Sequence, residues 1–114
     1  MIHELRIYEI FDNTREAFHA RFRDHAARLM ADHGFTILAM WEAETDRGPE
    51  FVYLLAWPDD ATRQEAWKTF MANPEWQRIK RDTAAAAPGD LVGEVSSRVL
   101  APAGYGPELG GALD

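Results

Sequence analysis

Two strand-like runs limit this chain's folding options more than any other feature. Phe35 to Glu44 and Glu50 to Trp57 are both apolar on both faces. In the first, Phe35, Ile37, Ala39, Trp41 and Ala43 line one face, and Leu38 and Met40 the other. In the second, Phe51, Tyr53, Leu55 and Trp57 stand against Val52, Leu54 and Ala56. Alternation at period two marks β-strands. A sheet with one wet face would alternate apolar with polar, so these strands need cover on both sides.

The other elements suggest what supplies the cover. Ile2 to Ile10 reads as a first strand, with Glu4, Arg6 and Tyr8 on one face and Leu5 and Ile7 on the other. Asn13 is placed to cap a helix, with Glu16 as its capping-box partner. Phe18, Phe22, Ala26, Leu29 and Met30 recur at helical spacing, which predicts a helix from Thr14 to His33 closed by Gly34. Thr45-Asp46-Arg47-Gly48-Pro49 is turn chemistry. Pro58-Asp59-Asp60 opens a second helix carrying Arg63, Trp67, Phe70 and Met71. Asn73-Pro74-Glu75-Trp76 restarts helicity, with Asn73 as N-cap and Pro74 at the first helical position. A last strand is expected over Leu91 to Leu100.

The order β-α-β-β-α-(α)-β predicts an α+β, ferredoxin-like fold: a four-stranded antiparallel sheet with helices on one face. The helices cover one side. The cheapest cover for the other is a second copy, which predicts a homodimer packed sheet to sheet. Residues 1–100 make this domain. Ala101 to Asp114 is rich in Gly and Pro, and is expected to be a mobile tail or a loose strap over a neighbour.

A length of 114 residues suits one domain. Net charge of −7, with the basic residues scattered among acids, argues against nucleic acid or an anionic membrane as partner. The absence of cysteine removes disulfides, thiolate nucleophiles and cysteine metal sites. No apolar run is long enough to span a bilayer and the chain opens directly as a strand, so a cytoplasmic protein is expected.

Glu4-Leu5-Arg6-Ile7-Tyr8, His33-Gly34-Phe35, Trp41, Ala66-Trp67 and Asn73-Pro74-Glu75-Trp76, in that order, resemble the NIPSNAP family of the dimeric α/β-barrel superfamily. The likeness covers roughly residues 2 to 100. It implies a ferredoxin-like protomer, and a dimer whose two sheets face each other. It does not imply one reaction: the superfamily holds cofactor-free monooxygenases, haem enzymes, cyclases, isomerases and non-catalytic sensors.

His25 and His33 fall on the inward side of the first helix at 100° per residue. His25 in the cleft between helix and sheet is a candidate general base, and His33 a substrate-binding residue. Each is equally a structural histidine bonded to a neighbour or facing a helix C-terminus. Arg6 and Tyr8 are candidate donors to an enolate or phenolate oxygen. Glu94, Ser96 and Arg98 share a face of the last strand, beside the first in the ferredoxin-like order, so Arg98 joins the substrate-binding candidates. The competing reading makes this array a polar network at the dimer seam. Trp41, Tyr53, Trp67 and Trp76 are candidates to stack on an aromatic ligand, and equally plain core. The histidines lack metal-site spacing, since His25 to His33 spans roughly 12 Å of helix. No nucleotide-binding loop has the strand–turn–helix context it needs. No metal or cofactor is expected.

The chain therefore reads as a small cofactor-independent enzyme acting by proton abstraction on a hydrophobic aromatic or polyketide-like metabolite, of monooxygenase, cyclase, decarboxylase or isomerase type. The alternative is a non-catalytic homodimeric ligand-binding or accessory protein. Alternation shows that Glu4, Arg6 and Tyr8 share a face. Whether that face lies under the helices or at the dimer seam stays open.

Overall fold

A computed structural model describes residues 1–107 and 109. Strands β1 (Ile2–Glu9), β2 (Thr36–Thr45), β3 (Gly48–Trp57) and β4 (Val95–Leu100) form one antiparallel sheet in the order β2-β3-β1-β4. Helices α1 (Arg15–Arg21), α2 (Ala27–Asp32), α3 (Asp60–Met71) and α4 (Pro74–Ala86) cover one face. This is the α+β, ferredoxin-like arrangement. Phe51, Tyr53, Leu55 and Trp57 of β3 are buried against Phe18, Phe22, Leu29 and Phe70 of the helical layer. The alternate β3 residues, Val52, Leu54 and Ala56, lie on the uncovered face and are only half-buried.

The first helix is interrupted. Between α1 and α2 the backbone makes a π-turn over Phe22–Ala26, with the Ala27 N–H bonded to the Phe22 carbonyl. The chain stays a continuous rod, but its rotation per residue changes there. The expected Asn13 cap is also displaced. Thr14 is the N-cap residue; its side chain makes no capping bond and instead donates to the Asp90 carbonyl at 2.7 Å. That bond ties the helix start to the segment leading into β4. Gly34 closes the rod at φ +86°, a region an L side chain resists.

Asp59 caps α3 by accepting from the Thr62 N–H, and Asn73 caps α4 by accepting from the Glu75 and Trp76 N–H groups. Two strand readings need correction. β2 carries a bulge between Ile37 and Ala39, and an extra residue reverses which side chains face the core. Ile37 stays on the helix side, whereas Ala39, Trp41 and Ala43 pair with Ala39's and its neighbours' open-face partners Leu54, Val52 and Glu50. β4 begins at Val95 rather than Leu91. Leu91 is buried in the core, and Gly93 passes so close to Glu9 and Phe11 that no Cβ would fit.

Residues 101–107 and 109 are exposed, without helix or strand. The remainder of the expected tail, residue 108 and residues 110–114, lies outside the described residues. No helix among the described residues is long and apolar enough to cross a membrane.

Candidate functional site

The polar row of β1 lies beneath the helices. Arg6 stands opposite Tyr53 and Tyr8 opposite Phe51 on β3, and directly paired antiparallel residues share a face. Since Tyr53 and Phe51 are core, so is the side on which Glu4, Arg6 and Tyr8 project. On the other flank β4 sets Val99, Ser97 and Val95 beside the same three residues. Val95 and Val99 remain 46% and 47% exposed, an uncovered apolar border next to a buried polar row.

Two clusters divide the row. The first centres on Glu4, which is fully buried. Its Oε1 accepts from the indole N–H groups of Trp57 at 3.0 Å and Trp67 at 2.8 Å. Its Oε2 accepts from the Ser97 hydroxyl at 2.7 Å and lies 3.5 Å from Arg63 and 3.7 Å from Arg6. Buried carboxylates persist only where paired and hydrogen-bonded, and Glu4 meets both conditions.

The second cluster centres on Tyr8. Its hydroxyl lies 2.5 Å from the Tyr53 hydroxyl and accepts from Arg6 Nη2 at 3.4 Å. The Arg6 guanidinium lies 4.1 Å from the Trp67 ring centroid and 5.5 Å from that of Tyr8, within cation–π range. Burial, reinforced by Tyr8, pushes the Tyr53 phenol well above its ordinary value of 10.0, so Tyr53 keeps its proton. Burial pulls the Arg6 guanidinium down, but Tyr8 and Tyr53 outweigh it and leave it above its ordinary value. The cluster therefore holds a fixed cation beside two linked phenols, with an aromatic wall.

A family model described as NIPSNAP matches residues 3–107. The chain belongs to the NIPSNAP family. Solved NIPSNAP relatives share its fold at low identity. A family protein of unknown function from Agrobacterium tumefaciens is 20% identical with a TM-score of 0.76, covering 94% of this chain and 92% of its own. An uncharacterized NIPSNAP domain protein from Burkholderia xenovorans is 19% identical with a TM-score of 0.76, covering 95% and 100%. More distantly, a monooxygenase of Streptomyces coelicolor, solved in complex with nanaomycin D, is 13% identical with a TM-score of 0.57, covering 94% and 91%. No curated protein matches.

Within this NIPSNAP fold, the structure brings Arg6, Tyr8, Tyr53 and Trp67 together and leaves other candidates apart. Trp41 lies beyond the bulge on the open sheet face, half exposed, not in the cleft. Arg98 pairs with Leu5 on that same open face, because the register puts Ser97, not Ser96 or Arg98, beside Arg6. His33 ends α2 and joins the Thr69 hydroxyl at 3.2 Å and the Asn73 amide at 3.0 Å, clasping three helix ends. His25 sits half-buried on the π-turn. Among the described residues no hydrogen bond or ring contact joins it to Arg6, Tyr8 or Tyr53. The 100° wheel that aimed it at the cleft does not hold through a π-turn. Trp76 stacks on Phe70 at 5.1 Å inside the core.

Sequence reasoning missed Glu4 as a hub, with Trp57 and Ser97 around it. Trp57 was visible as the last member of the β3 core face. Ser97 was not, since one residue of register separates it from the wrong side.

Proposed function

We propose that this chain binds a planar hydrophobic metabolite with an enolisable or phenolic oxygen between its helices and β1–β4, and acts on it by proton transfer without a bound cofactor. The observation that carries this reading is the chain of contacts from Arg6 to Tyr8 to Tyr53. In the proposed arrangement Tyr53, held protonated, is the donor in the hydrogen bond it shares with Tyr8. The Tyr8 proton is then free to point at a ligand oxygen, while Arg6 offsets negative charge developing there. Trp67 and the uncovered Val95 and Val99 offer the ligand apolar contact. The likeness to a monooxygenase solved in complex with nanaomycin D supports a small-molecule ligand by analogy of fold.

The test uses 2-naphthol, whose naphtholate has its own absorption band. Bound to the protein it should ionise at a lower pH than in buffer, and Tyr8→Phe or Arg6→Met should abolish the shift. Failure to bind, or an unshifted titration, would overturn the reading.

A second reading, a non-catalytic ligand-binding protein, is favoured by one observation: His25, the expected base, has no partner in the cleft. Deuterium exchange into 2-tetralone separates the two. Protein-accelerated exchange marks catalysis, and exchange at the buffer rate marks a binder. With Tyr8 and Arg6 stabilising the enolate and a water or buffer base from solvent taking the carbon-bound proton, His25→Ala should leave accelerated exchange within twofold; a tenfold loss would restore His25 as base.

The open sheet face carries Leu5, Ile7, Val52, Leu54 and Trp41. A second copy of this chain is proposed to cover it. Light scattering should show a dimer that Leu54→Glu converts to monomer.

A further inference from the structure

Outside the Glu4 network, donors on α1, β1 and α4 are short of acceptors. Arg21, at the end of α1, is half-buried and makes no ion pair among the described residues. Its one hydrogen bond is a long 3.4 Å contact to the Thr83 hydroxyl. It lies 5.7 Å from the Trp76 ring centroid, and the buried indole N–H of Trp76 has no partner among the described residues. The buried Nε of Arg6 has none either. Native proteins leave few buried donors unsatisfied, so each of these is a place for an acceptor. Burial lowers the Arg21 pKa and Tyr8 partly restores it, so the cation is desolvated without a carboxylate to compensate.

Arg21 also lines an open cavity of about 400 Å³, walled by the 84–92 segment between α4 and β4. That volume lies in the range of small-molecule sites. The carboxylates of β1 are engaged elsewhere: Glu4 accepts from Trp57, Trp67 and Ser97, and Glu9 accepts from the Glu94 N–H. Asp90 stands on the cavity rim but forms no ion pair with Arg21. The lining thus carries one cation and one acid that are not paired with each other, and the rest of it is uncharged.

We propose that the ligand of the cleft reaches into this cavity and is an organic anion, a hydrophobic carboxylic acid rather than a neutral compound, and that Arg21 is the specificity-determining residue that holds its carboxylate. The inference rests on the cleft-binding function proposed above. A guanidinium pairs a carboxylate with two parallel hydrogen bonds, and an otherwise unpaired one is preorganised for it. Trp76 gives the planar cation an aromatic wall.

The test compares 1-naphthoate with its neutral methyl ester, by tryptophan fluorescence quenching, on the full chain. Wild type should bind naphthoate at least tenfold more tightly than the ester, with affinity falling as salt rises. Arg21→Met should remove the preference while keeping ester affinity within twofold. Arg21→Lys should keep part of it, which guards against a folding defect as the cause. Asp90→Asn, removing the one rim acid, should strengthen naphthoate binding about twofold. Equal affinity of wild type for acid and ester, or a preference that survives Arg21→Met, would overturn the inference. In that case 2-naphthol binding at Tyr8 would still stand. If neither naphthoate, ester nor 2-naphthol binds, the cleft-binding function falls and the anion subsite falls with it.

Discussion

The two ends of the buried row on β1 use polar groups in opposite ways. At the Glu4 end one carboxylate gathers two indoles, a hydroxyl and two arginines, and donors and acceptors are balanced. Away from that end, among the described residues, the Arg6 Nε and the Trp76 N–H have no acceptor and Arg21 reaches only the Thr83 hydroxyl, at 3.4 Å. Both ends sit on the same strand under the same helices, so burial alone does not explain the contrast. A balanced network holds elements together, here β1, β3, β4 and α3. An unbalanced one stores binding capacity, because the desolvation it costs is recovered only when a ligand arrives.

The sharpest way to break this comparison is to remove the hub. Glu4→Ala would leave two cationic side chains and three neutral donors without their acceptor. Breaking a buried charged network from one side costs about 3–5 kcal/mol, and urea unfolding should register a loss of that order. A loss under about 1 kcal/mol would mean that the Glu4 end is no more structural than the other.

A smaller effect is expected at Tyr53, which is buried in the core and shares a hydrogen bond with Tyr8. Tyr53→Phe should cost about 1 kcal/mol at neutral pH, the usual worth of a hydrogen bond. Its pH signature sharpens the assignment. A phenol whose pKa is raised by folding binds its proton more tightly in the native state. That stability is fully present below pH 10 and drains away as pH climbs from the unfolded value toward the folded one. Wild type should therefore lose stability above about pH 10, with one of its three tyrosines ionising only on unfolding when followed at 295 nm. Tyr53→Phe should flatten that decline. An unchanged slope would place the raised proton affinity elsewhere.

The contrast between the ends was half legible in the sequence. Period-two alternation tied Glu4, Arg6 and Tyr8 to one face, and the doubly apolar strands showed that the sheet needed cover. The rest depended on long-range register. Glu4 meets Trp57 and Trp67 from 53 and 63 residues away. Shifting β4 by one residue exchanges Ser97 for Arg98 beside Arg6. The bulge at β2 moved Trp41 to the open face, and the π-turn disturbed the wheel that placed His25. The misses at Trp41 and His25 came from one-residue irregularities that strict periodicity cannot contain.

The smallest expected effect is the most demanding test of the comparison. If Arg21 serves a ligand rather than the fold, removing its charge should cost the free protein almost nothing. Methionine keeps the apolar length that lies against Trp76. The only hydrogen bond lost is the 3.4 Å contact to Thr83, whose hydroxyl already donates to the Ile79 carbonyl at 2.7 Å. Arg21→Met should thus shift unfolding free energy by less than about 0.5 kcal/mol, and relief of an uncompensated desolvation favours a gain over a loss. Urea midpoints at equal m-value would measure it. A loss above about 1.5 kcal/mol would make Arg21 a structural cation like Arg63, and the two ends of β1 would differ in partners but not in kind.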